Sequence, residues 1–407
     1  MQQNKKLNSW WGPPRKFSTE FEERKISWLE LFYDLVYVIA ISKITHNLAV
    51  HFSFSGLLDY VYFFAMIFWG WLNGSLYHDL HGSEGLRTRL MTLWQMMIVA
   101  TLVITIDSSP EKLVFNATIA LMAMQFYITY LWWSVGIYDK HHRKLNIPYT
   151  IIYLTALALM GITLFLKLPY NRILFFTALI LNYLPPFLTH SLLRKESLEL
   201  NLSSSMTERL GLFTIIVFGE VVLGIVNGIG ALHELSLSIW LNFGLTLSII
   251  FTLWWIFFTL VSNRSCKKGL INSSLLEIIY IPTLMALGLL SVVFNRIYDS
   301  SFHNDLYFNA LKNTFGLSLF LFLLGINCML YFLEYPSVTA GFKKKIQWIV
   351  FVTMVLFLIL ASINLQVSLF VYLLTILIIL LAVIIVLNQS WYAYKQNNDF
   401  KEDEESK

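Results

Sequence analysis

The chain alternates between apolar and polar stretches on a long wavelength. Apolar runs of about 20 residues recur, separated by short breaks that hold most of the Lys, Arg, Asp and Glu. As a helix, a run of about 20 residues crosses a hydrocarbon core of about 30 Å. A membrane β-barrel would instead show alternating segments of about ten residues. The pattern predicts an all-α, polytopic transmembrane helical bundle of about twelve spans. These are expected at 28–49, 57–77, 86–106, 113–137, 149–166, 171–193, 206–228, 236–262, 274–294, 307–333, 346–363 and 367–393. The last two are so close together that a re-entrant pair is the alternative there. Residues 1–27 are expected as a cytoplasmic N-terminal arm, 28–393 as the transmembrane domain and 394–407 as an acidic, unstructured cytoplasmic tail.

Charge then orients the helices. Sorting the 29 Lys and Arg by loop puts 23 on the side of the N-terminal arm. Five lie on the other side (Lys112, Lys167, Arg172, Arg296 and Lys312), and Lys43 alone falls deep within a span rather than near its end. Cytoplasmic loops carry the excess of Lys and Arg, so both termini are expected in the cytoplasm. Composition agrees with a membrane chain: 57% of residues are hydrophobic and 13% charged, against about a quarter charged in soluble domains. Cys266 and Cys328 cannot support a disulfide framework. The polar, basic start does not read as a cleavable signal, and the first span is expected to act as an uncleaved one.

Three predicted helix starts share a motif. Ser27–Glu30, Ser205–Glu208 and Ser274–Glu277 each read S-x-x-E, a capping box in which serine and glutamate satisfy the free N–H groups of the first turn. Capping is the favoured role of these glutamates. The functional alternative is a cytoplasmic gate in which they pair with Arg89 and Arg209. Recurrence of the motif at spans 1 and 7, with tryptophan pairs after each (Trp69 and Trp71, Trp254 and Trp255), suggests a parallel six-plus-six pseudo-repeat.

Capping does not explain the deeper charges. Asp34 lies about 10 Å into span 1 and Glu220 about 21 Å into span 7, at 1.5 Å per residue. Ionisable groups at such depth are costly and default to a functional hypothesis. Lys43 and Glu220 are expected at similar depth, with His46 one turn beyond Lys43, so a Lys43–Glu220 pair is predicted if spans 1 and 7 are neighbours. Gly224 and Gly228 form a G-x-x-x-G suited to close helix packing. The candidate transport or buried polar site is therefore Glu220, Lys43, His46 and Asp34, and the candidate cytoplasmic cluster is Glu30, Arg89, Glu208 and Arg209. A purely structural buried pair is the competing role.

Other signals are weaker. "YHDLHGSE" places His78, Asp79, His81 and Glu84 together; a solvated loop is favoured over a zinc site. His141 and His142, in "DKHHRK", fit a lipid-headgroup surface. "LPPF" at 184–187 breaks span 6 near Asn182, as a kink or as backbone opened to a cavity. Trp69, Trp71, Trp94, Trp254 and Trp255 are expected to be deep, mainly as packing. No nucleotide-binding loop, G-x-S-x-G, H-E-x-x-H or haem motif occurs, which argues against an ATP-driven pump or a known type of hydrolase. No cofactor, metal or nucleic-acid partner is expected; the partners are the lipid bilayer and an unidentified small molecule or ion.

Six blocks in order, "WWGPPR", "SWLELFYDLVYVIAISKITH", "FWGWLNGSLY", "RLMTLWQM", "ERLGLFTIIVFGE" and "LWWIFF", resemble the bacterial low-temperature-requirement A family. The resemblance implies a multi-pass protein of the bacterial cytoplasmic membrane linked to growth in the cold. The family's recurring polar residues correspond to Glu30, Asp34, His46, Arg89, Glu208, Arg209 and Glu220. The chain departs from the family at Lys43, often glutamine, at Thr259, often aspartate, and near Tyr280, where a histidine is common. The functional expectation is a secondary transporter, with proton coupling through Glu220 as an option. A membrane-embedded lipid-handling enzyme and a non-catalytic scaffold or sensor are the alternatives.

Overall fold

In the computed structural model the described residues run from 26 to 405, except 83–84, 107–109, 139–142, 168, 193–200, 231, 233, 263, 299–304, 336–339 and 364–366. The N-terminal arm to Lys25, Glu84, His141 and His142 thus lie outside the described residues. Thirteen helices account for most of what is described. They are α1 (Trp28–Val50), α2 (Phe54–His81), α3 (Leu86–Ile106), α4 (Pro110–Tyr138), α5 (Arg143–Thr163), α6 (Tyr170–Tyr183) and α7 (Pro185–Leu192), then α8 (Ser204–Gly230), α9 (Leu237–Leu260), α10 (Leu270–Ile297), α11 (Asp305–Phe332), α12 (Ala340–Ser362) and α13 (Leu369–Glu405). Every expected span coincides with a helix, the sixth with the α6–α7 pair.

Ten of the helices are long and apolar enough to cross a membrane. The α6–α7 pair, bent by 47°, makes an eleventh if counted as one span. Helix α1, which carries Glu30, Asp34 and Lys43, is not among them. Helix α13 continues to Glu405, through a tail expected to be unstructured.

The chain divides into two compact units. Unit one holds the described residues through Phe213 together with Lys268–Ile281. Unit two holds Thr214–Lys267 and the described residues from Pro282 onward. The division of α10 falls at Pro282, whose missing N–H leaves the carbonyl of Ile278 without its helical donor.

In unit one, α2 is the central helix and packs against α1, α4 and α6. Its stretch from Tyr62 to Ser75 is buried on every side, as befits a helix that is apolar all round. Gly70 and Gly74 let polar groups approach its backbone. A Cβ at Gly74 would run into Tyr33 Oη and come 2.5 Å from Gln95 Nε2. In unit two, α11 packs on α12, and α13 on α9 and α12. Gly224 and Gly228 of α8 meet the backbone of α10 at Ser291 and at Phe294–Asn295. Glu220 is buried in this unit, and its backbone carbonyl accepts from Ser291 Oγ at 3.1 Å.

Only one of the three expected capping boxes forms. Ser27 and Glu30 cap α1 reciprocally. At α8 the hydroxyl of Ser203, not Ser205, receives the N–H of Met206 at 2.9 Å; Ser205 is buried and Glu208 exposed. Helix α10 begins four residues earlier than expected, just after Gly269 at φ 109°, a left-handed conformation that favours glycine. That start carries Ser274 and Glu277 past the cap into the helix body.

Tryptophan depth divides sharply. Trp69 and Trp71 are buried, whereas Trp94, Trp254 and Trp255 are exposed. Lipid is as apolar as a protein core, so an outward tryptophan on a membrane helix carries the same sequence signature as an inward one.

Candidate functional site

Two polar centres lie in unit one, on opposite faces of α2. The first is an ion pair. Arg209, in the second turn of α8, reaches Asp34 of α1 with two nitrogens: Nη2 to Oδ1 at 2.5 Å and Nε to Oδ2 at 3.3 Å. Both side chains are fully buried. Trp71 of α2 donates its indole N–H to the same Asp34 Oδ1 at 2.7 Å. Glu30 Oε1 stands 3.8 Å from Arg209 Nη1, so Glu30 both caps α1 and adds a second carboxylate to the guanidinium. The rings of Tyr33 and Trp71 lie 5.6 and 5.9 Å from the guanidinium carbon, in cation–π range. Phe213, one turn after Arg209, covers Trp71 at 4.3 Å between ring centroids.

The local sequence explains this convergence. Asp34 is seven residues beyond the α1 cap, Ser27, and Arg209 six beyond the α8 cap, Ser203, so the two stand at similar height above their helix starts. Nitrogen Nη1 of Arg209 is buried and makes no hydrogen bond among the described residues. The centre therefore aligns α1, α2 and α8 while leaving one donor unsatisfied.

The second centre is a cavity of about 120 Å³. It is walled by the C-terminal ends of α2, α4 and α6, the N-terminal ends of α5, α7 and α10, and the segment Asn201–Ser203. Glu277 lines it and is 6% exposed. Among the described residues no hydrogen bond or ion pair reaches Glu277. Asp79 and His81 share the wall, with the rings of Trp69, Trp132, Tyr149 and Tyr153.

The broken helix builds one side of this cavity. The carbonyl of Asn182 would take the N–H of residue 186, but residue 186 is proline. Trp69 supplies the missing donor, its indole N–H reaching Asn182 O at 2.9 Å. Asn182 and Gln125 exchange amide hydrogen bonds at 2.8 and 2.9 Å. Tyr153 donates to Asn73 Oδ1 at 2.8 Å. Trp69 and Trp71, about 200° apart around α2, thus serve the cavity and the ion pair respectively.

Several expected positions resolve differently. His78, Asp79 and His81, read as a solvated loop, are buried in the last turn of α2. The helix continues because His78 stacks on Tyr33 and approaches Thr92 Oγ1, 3.2 Å from Nε2. Among the described residues no three His, Cys, Asp or Glu gather so as to hold a metal. Arg89 and Glu208 are exposed. Lys43, half-buried, and His46, exposed, line a separate cavity of about 450 Å³ with His51 and Asp59 at the opposite end of α2. Glu220 belongs to unit two. The cavity side of Glu277 and the Gln125–Asn182 pair were not anticipated. Their signals were present: a lone glutamine in apolar α4, and an asparagine beside Pro-Pro.

Long apolar helices, a proline-broken span and buried charges together define a multi-pass helical membrane protein. Residues 25–387 match the model of the family described as "Bacterial low temperature requirement A protein (LtrA)", and the chain belongs to that family. It is also similar to a protein of Rhizobium meliloti (strain 1021) described as uncharacterized, with 25% identity over 269 residues, 63% of each chain. The match therefore spans less than two thirds of that relative's length.

Proposed function

We propose that the chain is a secondary transporter of the bacterial cytoplasmic membrane, with twelve spans, both termini cytoplasmic, and a role in growth at low temperature. The observation that carries this reading is the cavity beside the broken helix α6–α7. Discontinuous helices are a recurring element of transporter substrate sites, and irregular backbone at membrane depth is tolerated where it lines a cavity. The positive-inside orientation puts the mouth of this cavity on the cytoplasmic side. The Arg209–Asp34–Glu30 centre, one helix away, would hold α1, α2 and α8 in register in the closed arrangement. In this reading the substrate is a small molecule or ion, and the buried Glu220 is the candidate carrier of a coupled proton.

The test is flux. Proteoliposomes holding the full chain and a pH-sensitive dye are challenged with small cationic, anionic and neutral solutes. The expected result is solute-dependent proton movement that Glu220→Gln abolishes while the protein remains folded. Absence of flux for every class, together with altered lipid composition in cold-grown cells lacking the protein, would replace transport with a lipid-handling role.

A further inference from the structure

The Glu277 cavity has a chemistry that selects its occupant. Its charged and titratable wall groups include two carboxylates, Glu277 and Asp79, with His81, and no Lys or Arg lines it among the described residues. Glu277 is more than nine-tenths buried, and no described residue donates to it. A buried carboxylate without a partner is costly, so a cation arriving there gains a charge-assisted contact that no protein group competes for. The wall also carries the aromatic rings of Trp69, Trp132, Tyr149 and Tyr153, set among leucine, asparagine and hydroxyl side chains. Aromatic faces attract organic ammonium groups but are poor ligands for hard metal ions, which take oxygen shells. Two donors on the wall, Trp132 Nε1 and Asn146 Nδ2, are buried and lack an acceptor among the described residues. They suit a ligand that brings an oxygen as well as a charge. Drug-sized ligands occupy about 300–1,000 Å³, so a 120 Å³ space takes a molecule of only a few heavy atoms.

We propose that this cavity binds a small organic cation bearing a hydroxyl-type acceptor, of the amino-alcohol kind. The ammonium group sits at Glu277 against the aromatic wall, and the oxygen accepts from Trp132 and Asn146. The proposal rests on the transport reading for its role as substrate, but the binding itself does not depend on flux.

The experiment titrates ethanolamine into the purified full chain in detergent by calorimetry, beside ethylene glycol and glycolate, its neutral and anionic counterparts. Ethanolamine is expected to bind and the other two not. Glu277→Gln is expected to weaken ethanolamine roughly thirty-fold or more, the loss typical of removing one partner of a buried charge pair. Equal binding of all three probes, no binding of ethanolamine to the folded chain, or undiminished binding in Glu277→Gln overturns the proposal. If Glu277→Gln does not fold, the comparison of probes on the native chain decides alone. Ethanolamine binding without ethanolamine flux in proteoliposomes upholds the site and overturns transport.

Discussion

Among its described residues unit one holds two arginine–aspartate pairs in different surroundings. Arg209 and Asp34 meet at 2.5 Å with both side chains fully buried. Arg172 and Asp59 meet at 3.0 Å, at the opposite end of α2, with side chains 28% and 40% exposed. The exposed pair retains much of its hydration, so its Coulomb gain is small and its loss is cheap. The buried pair has surrendered hydration on both sides, and Arg209 Nη1 recovers no hydrogen bond among the described residues. Such a pair is a weak source of net stability but very costly to break. Its value lies in specification: each of its two hydrogen-bonded partners comes from a different helix, and only one arrangement of α1, α2 and α8 satisfies Asp34.

The contrast can be broken at its strongest point first. Asp34→Ala strands the Arg209 charge and is expected to cost about 3–5 kcal/mol, read as a loss of reversible unfolding free energy in detergent micelles. Replacing both members, Asp34→Leu with Arg209→Met, should recover most of that loss. A double variant no better than Asp34→Ala would show that the pair is net stabilising. Trp71→Phe keeps an aromatic ring but removes the N–H donated to Asp34 together with part of the indole; the hydrogen bond to a charged group alone is worth about 1.5–3 kcal/mol, so a loss of at least that size is expected in the same unfolding assay. Gly74→Ala should cost about 1–3 kcal/mol by overpacking, with Tyr33 and Gln95 displaced. Relief of that cost when Gln95 is shortened to Ala in the same chain would confirm the collision. At the exposed end, Asp59→Asn should change stability by no more than about 1 kcal/mol, and the change should shrink as salt is raised.

The same two regions show what the sequence made legible. Asp34 stood out as a charge inside an apolar helix, and Arg209 as a basic residue near a helix start on the same side; their similar height emerges only with the α8 cap at Ser203 rather than Ser205. That they bond to each other depends on which helices are neighbours, and hydropathy says nothing of that. Helix existence was legible throughout, because each apolar run is long enough to span. Ends were less so: α2 runs on through His81 because Tyr33 and Thr92, far away in sequence, receive His78. The S-x-x-E at Ser274 is a true helical spacing but not a cap, since Gly269 starts the helix a turn earlier. Trp94 and Trp254 were misread for a reason particular to membranes, where the solvent is as apolar as the core. Glu277 escaped notice because the capping motif offered it a sufficient role.

Unit one is discontinuous in sequence, and that has a consequence for how the chain is made. Lys268–Ile281 belongs to the unit, yet it follows the rest of α8 and all of α9. About 65 residues separate Ser203 from Leu270, which at about 5–20 residues per second takes a ribosome roughly 3–13 s. For those seconds every other wall of the cavity has already emerged while the segment bearing Glu277 has not. A nascent chain released before residue 268 would carry an aromatic cleft with no fourth side, open to whatever lipid or chaperone reaches it first. The segment that carries Glu277 is thus also the last part of its unit to be born.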